Sequence, residues 1–280
     1  MKGDRTGGEA QQESSRDALY SREYFLTECE GYSQFLKTGG EELPPRLQKA
    51  LDLAQLSANL RILDVGCGRG EVLLHCSKLG AEAYGIDRSS DALKIALSLL
   101  NGCQEALPGK VGLQLSDAQH LPFASESFDR VLMLDLVEHL YPSELERALQ
   151  EAYRVLREQG YLIIHTMPNR WYYSFGYPIY RWVQRIRGER LPRDPRERWR
   201  FAGAVHVNEQ DIFRLSRALT MARFRAKVWL STTQDFSNER NPFVRLLMNV
   251  SSRLFPLKLI FCNEIFALAR KVSPGSQRGC

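Results

Sequence analysis

The sequence predicts an α/β protein built on a mostly parallel, doubly wound sheet. Two observations carry the prediction. Short β-rich runs alternate with stretches of helical apolar spacing from residue 61 onward, and strands separated in this way pair in parallel with helices over both faces. A glycine cluster follows the first run, and aspartates end the second and third, at the edge where such sheets bind ligands.

The elements follow in order. Residues 1–16 are polar and lack an apolar signal core, and 272–280 are polar as well; both read as disordered tails. DALYSREYFLTECEGYSQFLK and LPPRLQKALDLAQL have helical spacing split by TGGEELPP, which makes 17–58 a helical cap on a domain running to 271. RILDV (61–65) is the first strand and EVLLHCSKLG the helix after it. EAYGID (82–87) is the second, followed by SSDALKIALSLL, with Ser90 as the helix cap. VGLQLSD (111–117) and DRVLML (129–134) are the third and fourth strands. ELERALQEAYRVLREQG is an amphipathic helix ended by Gly160, and YLIIHTM is the fifth strand. A segment at 168–205 reads as an insertion. A helix, NEQDIFRLSRALT, and two strands, FRAKVWL and EIFALARK, close the domain. Between those strands lies NPFVRLLMNVSSRLFPLKLIF, apolar, basic and broken by prolines.

Composition narrows the class. Of 280 residues 44% are apolar and 25% charged, ordinary for a globular protein. No run of 18 apolar residues marks a membrane span. None of the six cysteines forms a CxxC pair, so reduced thiols in a cytoplasmic protein are expected. The net charge of +5 is local: residues 170–200 hold nine arginines and three acids. Nothing in the sequence sets an oligomeric state.

ILDVGCGRGE places Gly66, Gly68 and Gly70 at GxGxG spacing between a strand and a helix. Glycines there allow a tight turn and close approach of backbone to a ligand. A nicotinamide-dependent oxidoreductase would have GxGxxG, but position 71 is Glu71. Asp87 ends the second strand, where a carboxylate accepts both hydroxyls of a ribose. Asp117 ends the third, where it could face an adenine amino group.

ILDVGCGRGE, GID, LSDAQHLPFASESFDRVLMLDLVEHL and RVLREQGYLIIHTMPN, in this order, resemble class I S-adenosylmethionine-dependent methyltransferases, including the ubiquinone-pathway-like group. The resemblance covers about 60–170 strongly. It implies a Rossmann-like seven-stranded sheet with the last strand antiparallel. It implies that Gly66, Cys67 and Gly68 line the methionine part of S-adenosylmethionine, with Gly70 also binding the cofactor and Asp64 beneath the loop. Asp87 and Arg88 would meet the ribose, Asp117 and Ala118 the adenine, and Leu134 would contribute a carbonyl.

LDLVEHL (134–140) follows the fourth strand and so opens onto this pocket. If a helix begins there, Asp135, Glu138 and His139 share one face. Asp-x-x-Glu-His resembles the Glu-x-x-Glu-His element of ubiquinone-pathway O-methyltransferases and of small-RNA 3′-terminal 2′-O-methyltransferases. In the latter a further histidine after the fifth strand completes a metal site. Here His206 is the candidate and His165 a poorer one, and Mg²⁺ or Mn²⁺ would suit the set. The same residues could instead cap a helix, or His139 or His206 could act with Glu138 as plain acid–base groups. The expected reaction is transfer to an oxygen of a small or amphiphilic, lipid- or quinone-like acceptor. RNA 2′-O-methylation and N- or C-methylation of a small molecule are alternatives.

NRWYYSFGYPIYRWVQRIRGERLPRDPRERWR, with eight aromatics, stands where this fold places recognition insertions. It could form a lid over the acceptor, lie at a membrane surface, stack on RNA, or be a solvated helix. The apolar, basic stretch at 243–261 favours an amphiphilic acceptor or peripheral membrane contact over nucleic acid.

Overall fold

The computed structural model describes residues 18–272, apart from 104–106, 199, 234–235, 238 and 240. The tail expected at 1–16 lies outside them, as does all but the first residue of the one expected at 272–280.

Seven strands form one sheet: β1 (Arg61–Val65), β2 (Glu82–Asp87), β3 (Val111–Leu115), β4 (Phe128–Leu134), β5 (Leu156–Thr166), β6 (Phe224–Leu230) and β7 (Ile265–Lys271). Their order is β3-β2-β1-β4-β5-β7-β6, and only β7 runs antiparallel to its neighbours. Side chains alternate across a strand, and both faces are buried here. Leu63, Val131, Met133, Leu162 and Ile164 pack on one side, and Ile62, Leu132, Leu134 and Ile163 on the other. Two apolar faces need two helical layers. α6 (Pro142–Val155) and α9 (Ile212–Met221) cover the first. α3 (Pro45–Ala54) and α4 (Glu71–Lys78) cover the second, and α5 (Ser90–Gly102) also packs against that half of the sheet.

The cap consists of α1 (Arg22–Thr27), α2 (Tyr32–Thr38) and α3, not two continuous helices. Gly31, at φ 86°, breaks the first. Ser21 caps α1, its hydroxyl accepting from the Tyr24 N–H at 3.4 Å.

Several boundaries differ from the sequence reading; the third strand stops at Leu115, so Asp117 lies just beyond it, and two others have a clear physical cause. Ser89, not Ser90, caps α5, accepting from the Ala92 N–H at 3.2 Å. The helix expected to run to Gly160 ends at Val155, and β5 starts at Leu156, paired with Phe128. Pairing overrides the helical character of LREQ. Gly160 serves that pairing: a Cβ there would lie 2.8 Å from Leu156 Cδ2 and 3.2 Å from the Asp129 carbonyl.

Candidate active site

The strand ends of β1, β2, β4 and β5 open onto a cavity of ≈ 1300 Å³. On one side is the glycine loop, with Gly66, Gly68 and Gly70 at φ 79°, 50° and 83°. The Gly66 and Cys67 N–H groups donate to the Ile86 carbonyl at 2.8 and 2.9 Å, tying the loop to β2. Gly66, Cys67 and Gly68 line the cavity, but Gly70 does not. A Cβ on Gly70 would lie 2.8 Å from Ala96 Cβ, so this glycine lets α4 pack on α5.

Asp64, Asp87, Arg88, Asp117, Ala118 and Leu134 all line the same cavity. Asp64 is 2% exposed. Burial, then the nearby Glu71 and Asp87 carboxyls, push it up to about 8. Asp87 accepts from the Gly68 N–H at 3.0 Å and the Ser89 N–H at 2.8 Å. Burial raises its pKa despite those hydrogen bonds and the Arg88 charge. Asp117 accepts from the Gln119 N–H at 2.7 Å, a turn closed by its own side chain.

After β4 the backbone does not enter an α-helix. Asp135 takes φ 55°, and a short 3₁₀ turn spans Val137–His139. Asp135 therefore leaves the face of Glu138 and His139. Its carboxylate accepts from Arg46 Nε at 2.7 Å and from His165 Nδ1. Burial would raise its pKa, but the charges of Arg46 and His165 and their hydrogen bonds hold it well below the carboxylate range. The expected role of Asp135 as a metal ligand is thus corrected: its oxygens serve a half-buried ion pair with the cap.

Glu138, His139 and His206 do come together, with one ligand atom of each within 4.8 Å of the others. The Val207 and Asn208 N–H groups donate to the Glu138 carbonyl at 3.0 and 3.1 Å, which holds His206 beside the 3₁₀ turn. The two imidazoles meet edge to face, their centroids 5.0 Å apart. His139 Nδ1 lies 3.1 Å from the Val205 carbonyl and 3.2 Å from the Tyr20 hydroxyl. A carbonyl only accepts, so Nδ1 carries the proton in the neutral ring and Nε2 is its acceptor. His206 Nδ1 is buried without a hydrogen-bond partner, and burial lowers its pKa, against the Glu209 and Asp135 charges. Glu138 is 1% exposed. Its carboxyl receives the Thr166 hydroxyl at 2.7 Å and the Met167 N–H at 3.4 Å. Burial, then the Asp135 charge, push it up to about 8 despite those bonds.

The 168–205 segment forms much of the cavity's other wall. It holds a π-helical turn (Tyr172–Gly176), α7 (Tyr177–Ile186), a 3₁₀ turn (Pro195–Arg198) and α8 (Ala202–Val205). Tyr172, Tyr173, Tyr177, Tyr180 and Phe201 line the cavity from it. Downstream, α10 (Pro242–Arg253) and α11 (Lys258–Phe261) add Val244, Leu247, Met248 and Phe261.

The sequence reading missed the residues that fix the cap. Arg69 is 4% exposed. It donates to the Phe25, Cys29 and Glu30 carbonyls at 3.0, 3.2 and 3.0 Å, and to Glu71 at 2.7 Å. Arg46 adds a bond to the Glu30 carbonyl at 3.1 Å. Only the position of Arg69 inside the glycine loop could have drawn notice; Arg46 sits in an ordinary helix.

Residues 63–164 match the family described as a methyltransferase domain. "Methyltransferase GfsG" of Streptomyces halstedii is 35% identical over 130 residues, 46% of this chain and 44% of that protein. The ajmaline N-methyltransferase of Rauvolfia serpentina is 35% identical over 110 residues, 39% of this chain and 36% of its own length. A ubiquinone biosynthesis O-methyltransferase of Bartonella tribocorum is 28% identical over 121 residues, 43% and 46%. The chain thus spans about half or less of these relatives. A crystal structure of a SAM-dependent methyltransferase from Methanosarcina mazei shares the fold at TM-score 0.54 and 21% identity, covering 82% of this chain and 99% of that one. The sheet order, the glycine loop and the family match make the central part of this chain a class I S-adenosylmethionine-dependent methyltransferase domain.

Proposed function

We propose that the chain transfers the methyl group of S-adenosylmethionine to an oxygen of an amphiphilic, quinone- or lipid-like small molecule. The cavity carries this reading. At ≈ 1300 Å³ it exceeds the roughly 300–1,000 Å³ of a site for one small ligand. One end is built from glycines and carboxylates, the other from histidines, tyrosines and aliphatic side chains.

The first end fits the cofactor. The backbone of Gly66–Gly68 would face the methionine part and Asp87 the ribose. Asp117, Ala118 and Arg88 would border the adenine, and the Leu134 carbonyl would lie near the amino group. Asp64 is a buried carboxyl that a neighbouring ammonium would return to its charged form. When bound, the cofactor supplies a methyl group activated by a sulfonium.

The chain's own residues do the rest. An oxygen acceptor must lose a proton. His139, its Nδ1 turned to Val205, offers Nε2 for that proton. His206, kept neutral by burial, accepts a hydrogen bond from the acceptor. Glu138, carrying its own proton near neutrality, is a positioning residue that holds the 3₁₀ turn to Thr166 and Met167. The tyrosines of 172–180 exclude water and align the acceptor. The histidine pair favours oxygen over nitrogen as the receiving atom, since a neutral amine attacks without a base.

The donors do not fit Mg²⁺ or Mn²⁺. Such ions take several carboxylate or carbonyl oxygens. Here Asp135 is committed to Arg46, and the Glu138 carboxyl is engaged by the Thr166 hydroxyl and the Met167 N–H, which leaves mainly imidazole nitrogen. Activity is expected to survive chelation by EDTA. The test is S-adenosylhomocysteine release from the purified chain with an alkyl-tailed catechol as acceptor. Release with primary amines but not with catechols would overturn the oxygen assignment.

A further inference from the structure

We propose that the outer faces of α7 and α10 form one docking surface for a membrane carrying anionic lipid, from which the acceptor enters the cavity. The proposal rests on the amphiphilic acceptor argued above.

Helices of a globular domain turn their apolar stripe inward. These two also turn one outward. On α10, Phe243, Leu246 and Val250, followed by Leu254, are spaced i, i+3, i+7 and i+11, and all are exposed, Phe243 at 72%. On α7, Ile179, Trp182 and Ile186 repeat the i, i+3, i+7 spacing, the latter two 64% and 67% exposed. Phe255 extends the first line. Contiguous exposed apolar surface of this kind marks an interaction site.

The two lines border the cavity. The adjoining positions Val244, Leu247 and Met248 on α10, and Tyr180 and Val183 on α7, line its wall. The Arg187–Glu239 ion pair, at 2.8 Å, ties the end of α7 to the residues leading into α10. Apolar surface therefore continues from the outside of both helices to the acceptor end.

Charge selects the partner. Residues 177–188 and 241–263 contain no acid and six cations: Arg181, Arg185, Arg187, Arg245, Arg253 and Lys258. Glu239 neutralises Arg187. Long basic side chains can lay their stems on apolar surface and place their charge among headgroups. An anionic bilayer suits that pattern. A second copy of the same face would set like charges against each other. The exposed aliphatic residues Ile179, Ile186, Leu246, Val250 and Leu254 outnumber the aromatics Trp182, Phe243 and Phe255, so a nucleic acid would cover most of this surface without a stacking face.

The experiment is flotation of the full chain with phosphatidylcholine vesicles, with and without phosphatidylglycerol, at low and high salt. The chain is expected to float with the anionic vesicles at low salt. The bound fraction should fall about tenfold or more in Trp182→Glu/Leu246→Glu and in Arg245→Glu/Arg253→Glu. S-adenosylmethionine affinity, read by calorimetry, should stay unchanged in both, which excludes misfolding. No flotation of the wild type, or equal flotation of the variants, would overturn the proposal. So would dimerisation through this face without vesicle binding, read by light scattering. Flotation without turnover of tailed catechols would remove the acceptor assignment and leave docking standing. Turnover without flotation would do the reverse.

Discussion

Arg46, 6% exposed, stands on the cap and neutralises a carboxylate at the end of β4. Removing one partner of a fully buried pair costs about 3–5 kcal/mol; Asp135 is only half-buried, so Arg46→Met should lose about 2–3 kcal/mol in urea unfolding. A loss under about 1 kcal/mol would show the pair to be solvated. Because Asp135 is held below its unfolded pKa of about 3.9, its contribution is present above that value and lost as the pH falls further. Asp64 and Glu138 have the opposite sign. Each is raised to about 8, so each stabilises the fold fully below about pH 4 and loses that contribution as the pH rises through 8. The cofactor-free protein should therefore melt lower at pH 8 than at pH 5, and Asp64→Asn should flatten the difference. His139→Ala should lower kcat by about 10²–10⁴ while leaving S-adenosylmethionine affinity intact; an equal loss in affinity would make His139 part of the cofactor pocket instead. Asp87 was legible because it ends a strand beside the glycine loop, where ligands bind; Asp64, one residue before the end of β1, was placed by the family resemblance alone. Asp135 was not legible: its spacing to Glu138 and His139 has meaning only on a helix, and its left-handed backbone prevents one.

At the scale of elements, strands were easier to read than helix ends. β1, β2 and β6 coincide with RILDV, EAYGID and FRAKVWL because short β-rich runs bounded by polar and turn residues are too short for helices, and FRAKVWL alternates charged and apolar residues at its start. LREQG failed because its residue types suit a helix, while pairing with β4 across a buried sheet decides the outcome. The cap shows the same limit. Its amphipathic spacing was visible, but the contacts that seat it come from Arg69, inside the loop it covers. Arg69→Gln should detach α1 and α2 and leave the sheet intact. Limited proteolysis is then expected to cut within 22–38, with a weaker affinity for S-adenosylmethionine and little change in the main unfolding transition. An unchanged digestion pattern would mean that the apolar contacts of Tyr24 and Phe25 seat the cap without the arginine.

On the scale of the whole molecule, the sheet places the glycine-loop side of the cavity, and the 168–205 and 242–261 segments build the opposite wall from outside it. The first was predictable from alternation of strands and helices. The second depended on which faces two separate segments present to each other, which spacing alone does not say. Their combined wall is apolar enough to reward an acceptor with a tail. Each methylene buried there should contribute about 0.8 kcal/mol, close to fourfold in kcat/KM, until the cavity is full. A series of catechols with lengthening alkyl chains, followed by S-adenosylhomocysteine release in detergent-free buffer below their aggregation limit, should show that rise and then a plateau. Val183→Trp and Met248→Trp, which intrude on the wall, should bring the plateau to shorter chains without changing turnover of the untailed catechol. A flat series in the wild type would mean that the apolar wall only packs the lid, and the acceptor would have to be sought among compact polar molecules.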